Sequence, residues 1–164
     1  GVMALFSPDR PRPASQRAVE AAFEMLAETD RRRPYHEELY RRSFDLNVGL
    51  HQGPAIVGTL WGSPPSLTAI GDTVNLASRI EQANKELGTR FLISADTLAE
   101  LGDGVVVGRT FQRSLPGMAG EYTLIEVLDP SHQRSPGPQR ERQEDVSPPW
   151  RSGHAIEPRS DRRR

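Results

Sequence analysis

The sequence predicts an α/β fold, and three observations carry that expectation. Apolar residues recur at three-to-four spacing in two long stretches, they alternate or run together in several short ones, and the two kinds of segment are interleaved. With 164 residues the chain has room for one ordinary domain and a tail. A hydrophobic fraction of 35%, 14 Pro and 14 Gly leave a sizeable part of it solvated, so one domain with a loose end is expected.

Val2 to Phe6 is short and apolar and is stopped by Ser7, Pro8 and a Pro-rich run, which predicts a buried strand entering a turn. Ser15 or a neighbour is placed to cap a helix whose apolar residues are Ala18, Val19, Ala22, Phe23, Met25 and Leu26. Arg17, Glu20, Glu24 and Glu28 occupy its far side, so one face packs, and the helix ends near Asp30. A turn of helix is expected around Glu37 to Tyr40. From Phe44 the chain alternates, with Phe44, Leu46, Val48 and Leu50 facing one way. His51 to Pro54 reads as a turn and Ala55 to Leu60 as a partner strand, giving a hairpin-like pair. Gly62 to Ser66 is a loop.

Asp72 or Thr73 is suited to cap a second helix, with a buried stripe of Val74, Ala77, Ile80, Ala83 or Asn84, and Leu87. Gly88 supplies its left-handed stop. Phe91 to Ile93 is a brief strand, Ser94 starts a short helix through Leu101, and Gly102 ends it. Val105 to Val107 and Tyr122 to Leu128 are the last strands, separated by a turn containing Gly and Pro. Beyond Asp129 the chain turns to Pro, Ser, Arg, Gln and Glu. Isolated Val146, Trp150 and Ile156 build no core there, so a disordered tail is expected from 129 to 164, its terminal Arg162, Arg163 and Arg164 solvated.

The net charge of −1 gives no field that gathers nucleic acid or anionic membrane over the whole molecule. Every basic side chain except Lys85 is Arg. The absence of Cys removes disulfides, thiolate metal sites and a cysteine nucleophile, in agreement with a reducing, cytoplasmic setting. No apolar run approaches the roughly eighteen residues that a spanning helix needs, so no membrane contact is expected of this segment. The opening has no initiator Met and lies inside what reads as a strand, as in a fragment.

Asn75 and Arg79 stand four apart, on one face of the second helix near its amino-terminal end. An amide and a guanidinium beside free backbone amides suit a phosphate. Spacing by itself favours a plainer account, an exposed polar face with Arg79 paired to Glu81 or Glu86. His51 reads as part of a structural turn and Trp61 as packing or interface. Gly49, Gly53 and Gly58 read as backbone devices of the hairpin.

The run from Leu67 to Glu81, LTAIGDTVNLASRIE, resembles the signature of class III nucleotide cyclases. VGLHQGPAIVG, the opening GVMALF and the helix RAVEAAFEML resemble the same family in the same order, so the likeness covers most of Gly1 to Leu128. It implies a partial cyclase catalytic domain over 1–128, with a ferredoxin-like, antiparallel-rich sheet and helices on one face, incomplete at its amino-terminal end. The implied reaction is attack of a ribose 3′-hydroxyl on the α-phosphate of a nucleoside triphosphate, with loss of pyrophosphate. Asn75 is then expected to orient the ribose and Arg79 to stabilise the α-phosphate in the transition state.

Thr68 falls where the family places its base reader, and Ile70 is expected beside it as a second substrate-binding position. A hydroxyl donates or accepts, so Thr68 discriminates adenine from guanine less firmly than Asp does. A bacterial branch resembling adenylate cyclases carries Thr here, which favours ATP. The resemblance further implies Mg2+ or Mn2+ held by two Asp residues, neither of which stands in this sequence. The site forms between two domains, so a homodimer is expected, with this chain supplying the nucleotide-orienting half and inactive alone. Membrane attachment of the parent stays open. Met118 stands where the family often carries a triphosphate-holding Lys, with Arg113 or another Arg as substitute. That departure keeps a non-catalytic nucleotide-binding module in view, alongside a guanylate cyclase.

Overall fold

A computed structural model describes residues 1–60 and 66–129, without the side chains of Leu60, Ser66 and Leu67. Trp61, all but the last residue of the expected loop, and the tail past Asp129 lie outside the described residues. In chain order the elements are α1 (Ala14–Arg31), α2 (Arg33–Tyr40), β1 (Val48–Leu50), β2 (Ile56–Leu60), β3 (Ser66–Ile70), α3 (Asp72–Leu87), β4 (Phe91–Ser94), α4 (Ala95–Leu101), a 3-10 turn (Gly102–Gly104), β5 (Val106–Ser114) and β6 (Glu121–Leu128).

Four strands form one sheet in the order β1-β4-β6-β5, and β2 and β3 form a separate antiparallel pair. β1 runs parallel to β4, while β4 and β5 are both antiparallel to β6. This is the antiparallel-rich α/β arrangement of the expectation, with one correction. The helices cover both faces of the sheet. Val19, Ala22 and Leu26 of α1 and Leu101 of α4 pack with Phe91, Ile93, Ile125 and Val127. Leu76, Ile80 and Ala83 of α3 pack with Leu92 and Leu124 on the opposite side. The continuous apolar run Phe91-Leu92-Ile93 already carries that signal, because a strand buried on both faces has no polar side to alternate. Full burial of each such side chain is worth about 1.5–3 kcal/mol.

Asn84, the polar member of the α3 stripe, is completely buried and fully engaged. Its Nδ2 donates to the carbonyls of Val48 and Glu81, each at 3.0 Å, and its Oδ1 accepts from Thr89 Oγ1 at 2.8 Å. One side chain thereby ties α3 to β1 and to its own exit, which is what makes a buried amide tolerable. Leu76 is buried where Val74 and Ala77 are only partly so. Gly88 ends the helix at φ 62° as expected. At β5 a register shift after Val107 turns Arg109 back onto Glu126 at 2.8 Å and onto the carbonyl of Gly88 at 3.1 Å.

Other expectations are corrected. Val2–Phe6 is not a strand: no described strand runs beside it to pair its backbone, Val2 is 97% exposed, and Arg17 lies over the Phe6 ring instead. The strand expected from Phe44 is regular only at Val48–Leu50, the part with a ladder partner in β4. β2 does not pair with β1. The apolar face of Leu46, Val48 and Leu50 is buried by lying beside β4, whereas β2 crosses to β3. Ser15 sits buried inside α1, whose N-cap is Pro13. α2 is the helix expected near Glu37, longer by a turn, and β5 outruns its expected three residues. Ser94 Oγ caps α4 by accepting from the Thr97 amide at 3.3 Å.

Candidate functional site

The candidate residues lie along one strand, turn and helix. β3 places Thr68 opposite Gly58 and Ile70 opposite Ile56, so Thr68 and Ile70 share a face of the hairpin. A Cβ at Gly58 would meet nothing within 4 Å, which leaves Thr68 uncovered by its cross-strand partner. Ile56 and Ile70 are 72% and 59% exposed, and Ala69 on the other face is buried.

Gly71 then turns the chain at φ 140°, and its carbonyl accepts from the amides of Val74 and Asn75. Gly71 is itself the N-cap of α3, so neither Asp72 nor Thr73 caps the helix as expected. Thr73 Oγ1 donates instead to the carbonyl of Pro54 at 2.6 Å, tying the first turn of α3 to the loop after β1. Asp72 lies in that first turn, where a carboxylate complements the helix dipole.

Asn75 is exposed and Arg79 partly buried, one turn apart on the same side of α3. Arg79 makes no pair with Glu81 or Glu86. Its Nη1 donates to Gln82 Oε1 at 2.9 Å. Its Nη2 reaches the turn between β5 and β6, within 3.9 Å of where a Cβ on Gly117 would stand, and Gly117 holds φ 74°. Gln82 and Gly117 were not singled out from the sequence. The three-residue spacing from Arg79 to Gln82 is the one signal that points to the former.

The same turn rests on α3 between two depressions. Arg79, Gln82, Glu86 and Arg113 line the first together with Ser114 to Pro116. His51, Asp72, Thr73 and Leu76 line the second, with Gly117 to Ala119 and Tyr122. Met118 packs against the core cluster of Leu76 and Leu124, so it does not project as a Lys would. His51 Nδ1 lies 2.8 Å from Ser94 Oγ, the atom that caps α4, which joins the β1 turn to that helix. Burial lowers the imidazole pKa below its ordinary value, with Asp96 opposing. Among the described residues no group of three or more His, Asp or Glu side chains is placed to hold a metal ion. Among the described residues no helix is long and apolar enough to cross a membrane.

Comparison with known proteins agrees with this arrangement. The family described as "Adenylate and Guanylate cyclase catalytic domain" matches residues 3–117. The chain is 45% identical over 87 residues to adenylate cyclase 1 of Rhizobium meliloti (strain 1021), covering 52% of the chain and 13% of that protein. It is 31% identical over 133 residues to the terminal-differentiation specific adenylate cyclase of Dictyostelium discoideum, covering 78% of the chain and 6% of that protein. The chain therefore spans a small part of the relatives it matches. Among solved structures, the adenylyl cyclase CyaB from P. aeruginosa superposes with a TM-score of 0.63 at 22% identity, over 76% of this chain and 65% of that one. The guanylyl cyclase Cya2 gives 0.65 at 23% identity, over 74% and 62%.

Proposed function

The chain belongs to the adenylate and guanylate cyclase catalytic domain family, and from that premise we propose that it is the nucleotide-orienting half of an adenylate cyclase site. The observation that carries the reading is Arg79: a guanidinium on the second turn of α3, steadied by Gln82, turned toward Gly117 and bonded to no carboxylate among the described residues. In the reaction the 3′-hydroxyl of ATP gives up its proton to solvent and its oxygen bonds to the α-phosphorus as the bond to the bridging oxygen breaks and pyrophosphate leaves. Arg79 supplies fixed positive charge to the α-phosphate oxygens, where such charge counts most in the transition state. Asn75, one turn earlier, orients the ribose, and a positioned amide lowers the entropy cost of alignment. Thr68, with Ile70 beside it, meets the purine, its hydroxyl accepting from the adenine amino group.

No step is routed through a metal ion, because no group of three or more His, Asp or Glu among the described residues is placed to hold one. The active unit is a dimer in which a second cyclase domain brings the metal-holding residues, and the chain alone is inactive. The openness of Asn75, Ile70 and Ile56 supports that reading, since they present polar and apolar surface together. Domain limits of 1–128 and a separate tail from 129 belong to the same proposal.

The test is complementation. The chain is mixed with a cyclase domain that keeps its metal-binding Asp residues but has its own Asn and Arg altered, and cyclic nucleotide is measured with ATP and with GTP. Cyclic AMP above cyclic GMP from the mixture, and none from either component, is the expected result. A demonstrably formed heterodimer without product sinks the half-site reading. Two observations keep second readings in view. The hydroxyl of Thr68 also donates, which admits GTP and a guanylate cyclase. The inward packing of Met118 fits a nucleotide-binding module without turnover.

A further inference from the structure

Resting on the cyclase reading, we infer that Gln82 is a positioning residue for the reaction: its neutral amide fixes the guanidinium of Arg79 and leaves the whole of that charge for the nucleotide. Arg79 Nη1 donates to Gln82 Oε1 at 2.9 Å, while Nη2 lies against the turn at Gly117. One end of the fork is held by a hydrogen bond and the other by backbone. A guanidinium has five donors, and the bond to Gln82 spends one of them. Gln82 itself is exposed, so it gives Arg79 an oxygen and gives the core nothing.

The acids nearby are what make an amide at this position informative. Glu81 stands two residues from Arg79, a spacing that points to another side of the helix. Glu86 lines the same depression as Arg79, and Gln82 stands between them, three residues after the arginine and four before the glutamate. A carboxylate at position 82 would have the three-residue spacing that pairs Arg31 with Glu28 and Arg33 with Asp30 elsewhere in the chain. In those pairs the acid neutralises the cation, whereas an amide oxygen holds it through a dipole alone. A compensated charge gives less to the oxygens of a transition state. A guanidinium left to swing also gives less, because reorienting it costs free energy at the moment of reaction. Gln82 avoids both losses.

The experiment is a double-mutant cycle on positions 79 and 82, run in the complemented enzyme with ATP. Gln82→Ala is expected to lower kcat about tenfold with KM unchanged, the pattern of an interaction that matters only in the transition state. The urea midpoint of the chain stays where it is, since the side chain is exposed and Ala suits a helix interior. Gln82→Glu keeps the tether and spends the charge, so kcat again falls about tenfold while the two-dimensional amide spectrum stays that of the folded wild type. On top of Arg79→Ala, Gln82→Ala is expected to change nothing further, because its effect passes through the guanidinium. Losses that add in the cycle, a midpoint that falls with kcat, or full activity of Gln82→Glu overturns the inference. Product that falls with Arg79→Ala and not with Gln82→Ala overturns it and leaves the cyclase reading standing. A demonstrably formed heterodimer without product sinks both.

Discussion

The four-stranded sheet and the β2–β3 hairpin are built to opposite specifications. In the sheet, Leu92, Ile93 and Leu124 are completely or almost completely buried, and helices lie on both faces. In the hairpin, Ile56, Val57 and Ile70 are exposed and, among the described side chains, Ala69 is the one sealed in. Two paired strands alone are marginal in water, so the hairpin depends on what it leans against. The proposed site straddles the two regions. Asn75 and Arg79 stand on the helix that is welded to the sheet, whereas Thr68 and Ile70 stand on the hairpin. On the proposed assignment, the phosphate end of a nucleotide would meet a fixed surface and the base end a yielding one.

That contrast breaks first in the sheet. Leu124→Ala opens a cavity between β6 and α3 and is expected to cost about 3 kcal/mol, read from urea unfolding. Loss of under 1 kcal/mol would mean that the sheet is no more tightly specified than the hairpin. In the complemented enzyme, Arg79→Ala is expected to lower turnover by about two orders of magnitude with the fold intact, as loss of one transition-state charge contact does. An unchanged rate removes Arg79 from the chemistry. Thr73→Val deletes the bond to the Pro54 carbonyl and is expected to cost about 1 kcal/mol. Its sharper signature is faster amide exchange in β2 and β3 with none in β4. Ile70→Thr is expected to change stability by less than about 0.5 kcal/mol, because the side chain is exposed already. A larger loss shows that the hairpin has a cover in solution.

The mildest effect is set by pH. Burial holds the folded pKa of His51 below its ordinary value of 6.5, so the unfolded chain binds more protons as the solution is acidified. The contribution of the neutral ring is complete above that value and declines as pH falls toward the folded pKa. His51→Gln is expected to flatten stability between pH 8 and 5.5 relative to the wild type, measured by denaturant midpoints.

Much of the sheet half was legible in the chain because its signals are local. Gly88 as a stop, Ser94 as a cap and the apolar run at Phe91 each act within a few residues. Pairing is not local. β1 and the following apolar strand are near in sequence and polar between, which reads as a hairpin, yet β4 lies more than forty residues on and takes the pairing. The cap of α3 failed for a related reason: Gly71 makes the turn at φ 140° and takes the N-cap position, so Thr73 falls inside the first turn, where its hydroxyl donates to the Pro54 carbonyl that only the folded loop supplies. At the site, residue types and spacing placed Asn75 and Arg79 on one face, but the partner of Arg79 was Gln82 and neither glutamate. Thr68 and Ile70 were found as positions, while the bareness opposite Thr68 depends on Gly58 across the ladder.

Gly49 carries a consequence for anyone redesigning nucleotide preference. A Cβ on it would stand 2.2 Å from the amide nitrogen of Glu81 and 2.6 Å from the carbonyl of Ala77, so the backbone of β1 lies directly against that of α3. No rotamer relieves a clash between two main chains. The helix is therefore a datum rather than a variable, and any side chain at position 49 would have to push α3 off the sheet. On the proposed assignment, diversity belongs at positions 56, 58 and 70, where Ile56 and Ile70 are exposed and a Cβ on Gly58 meets nothing, so a library there would vary the base end alone.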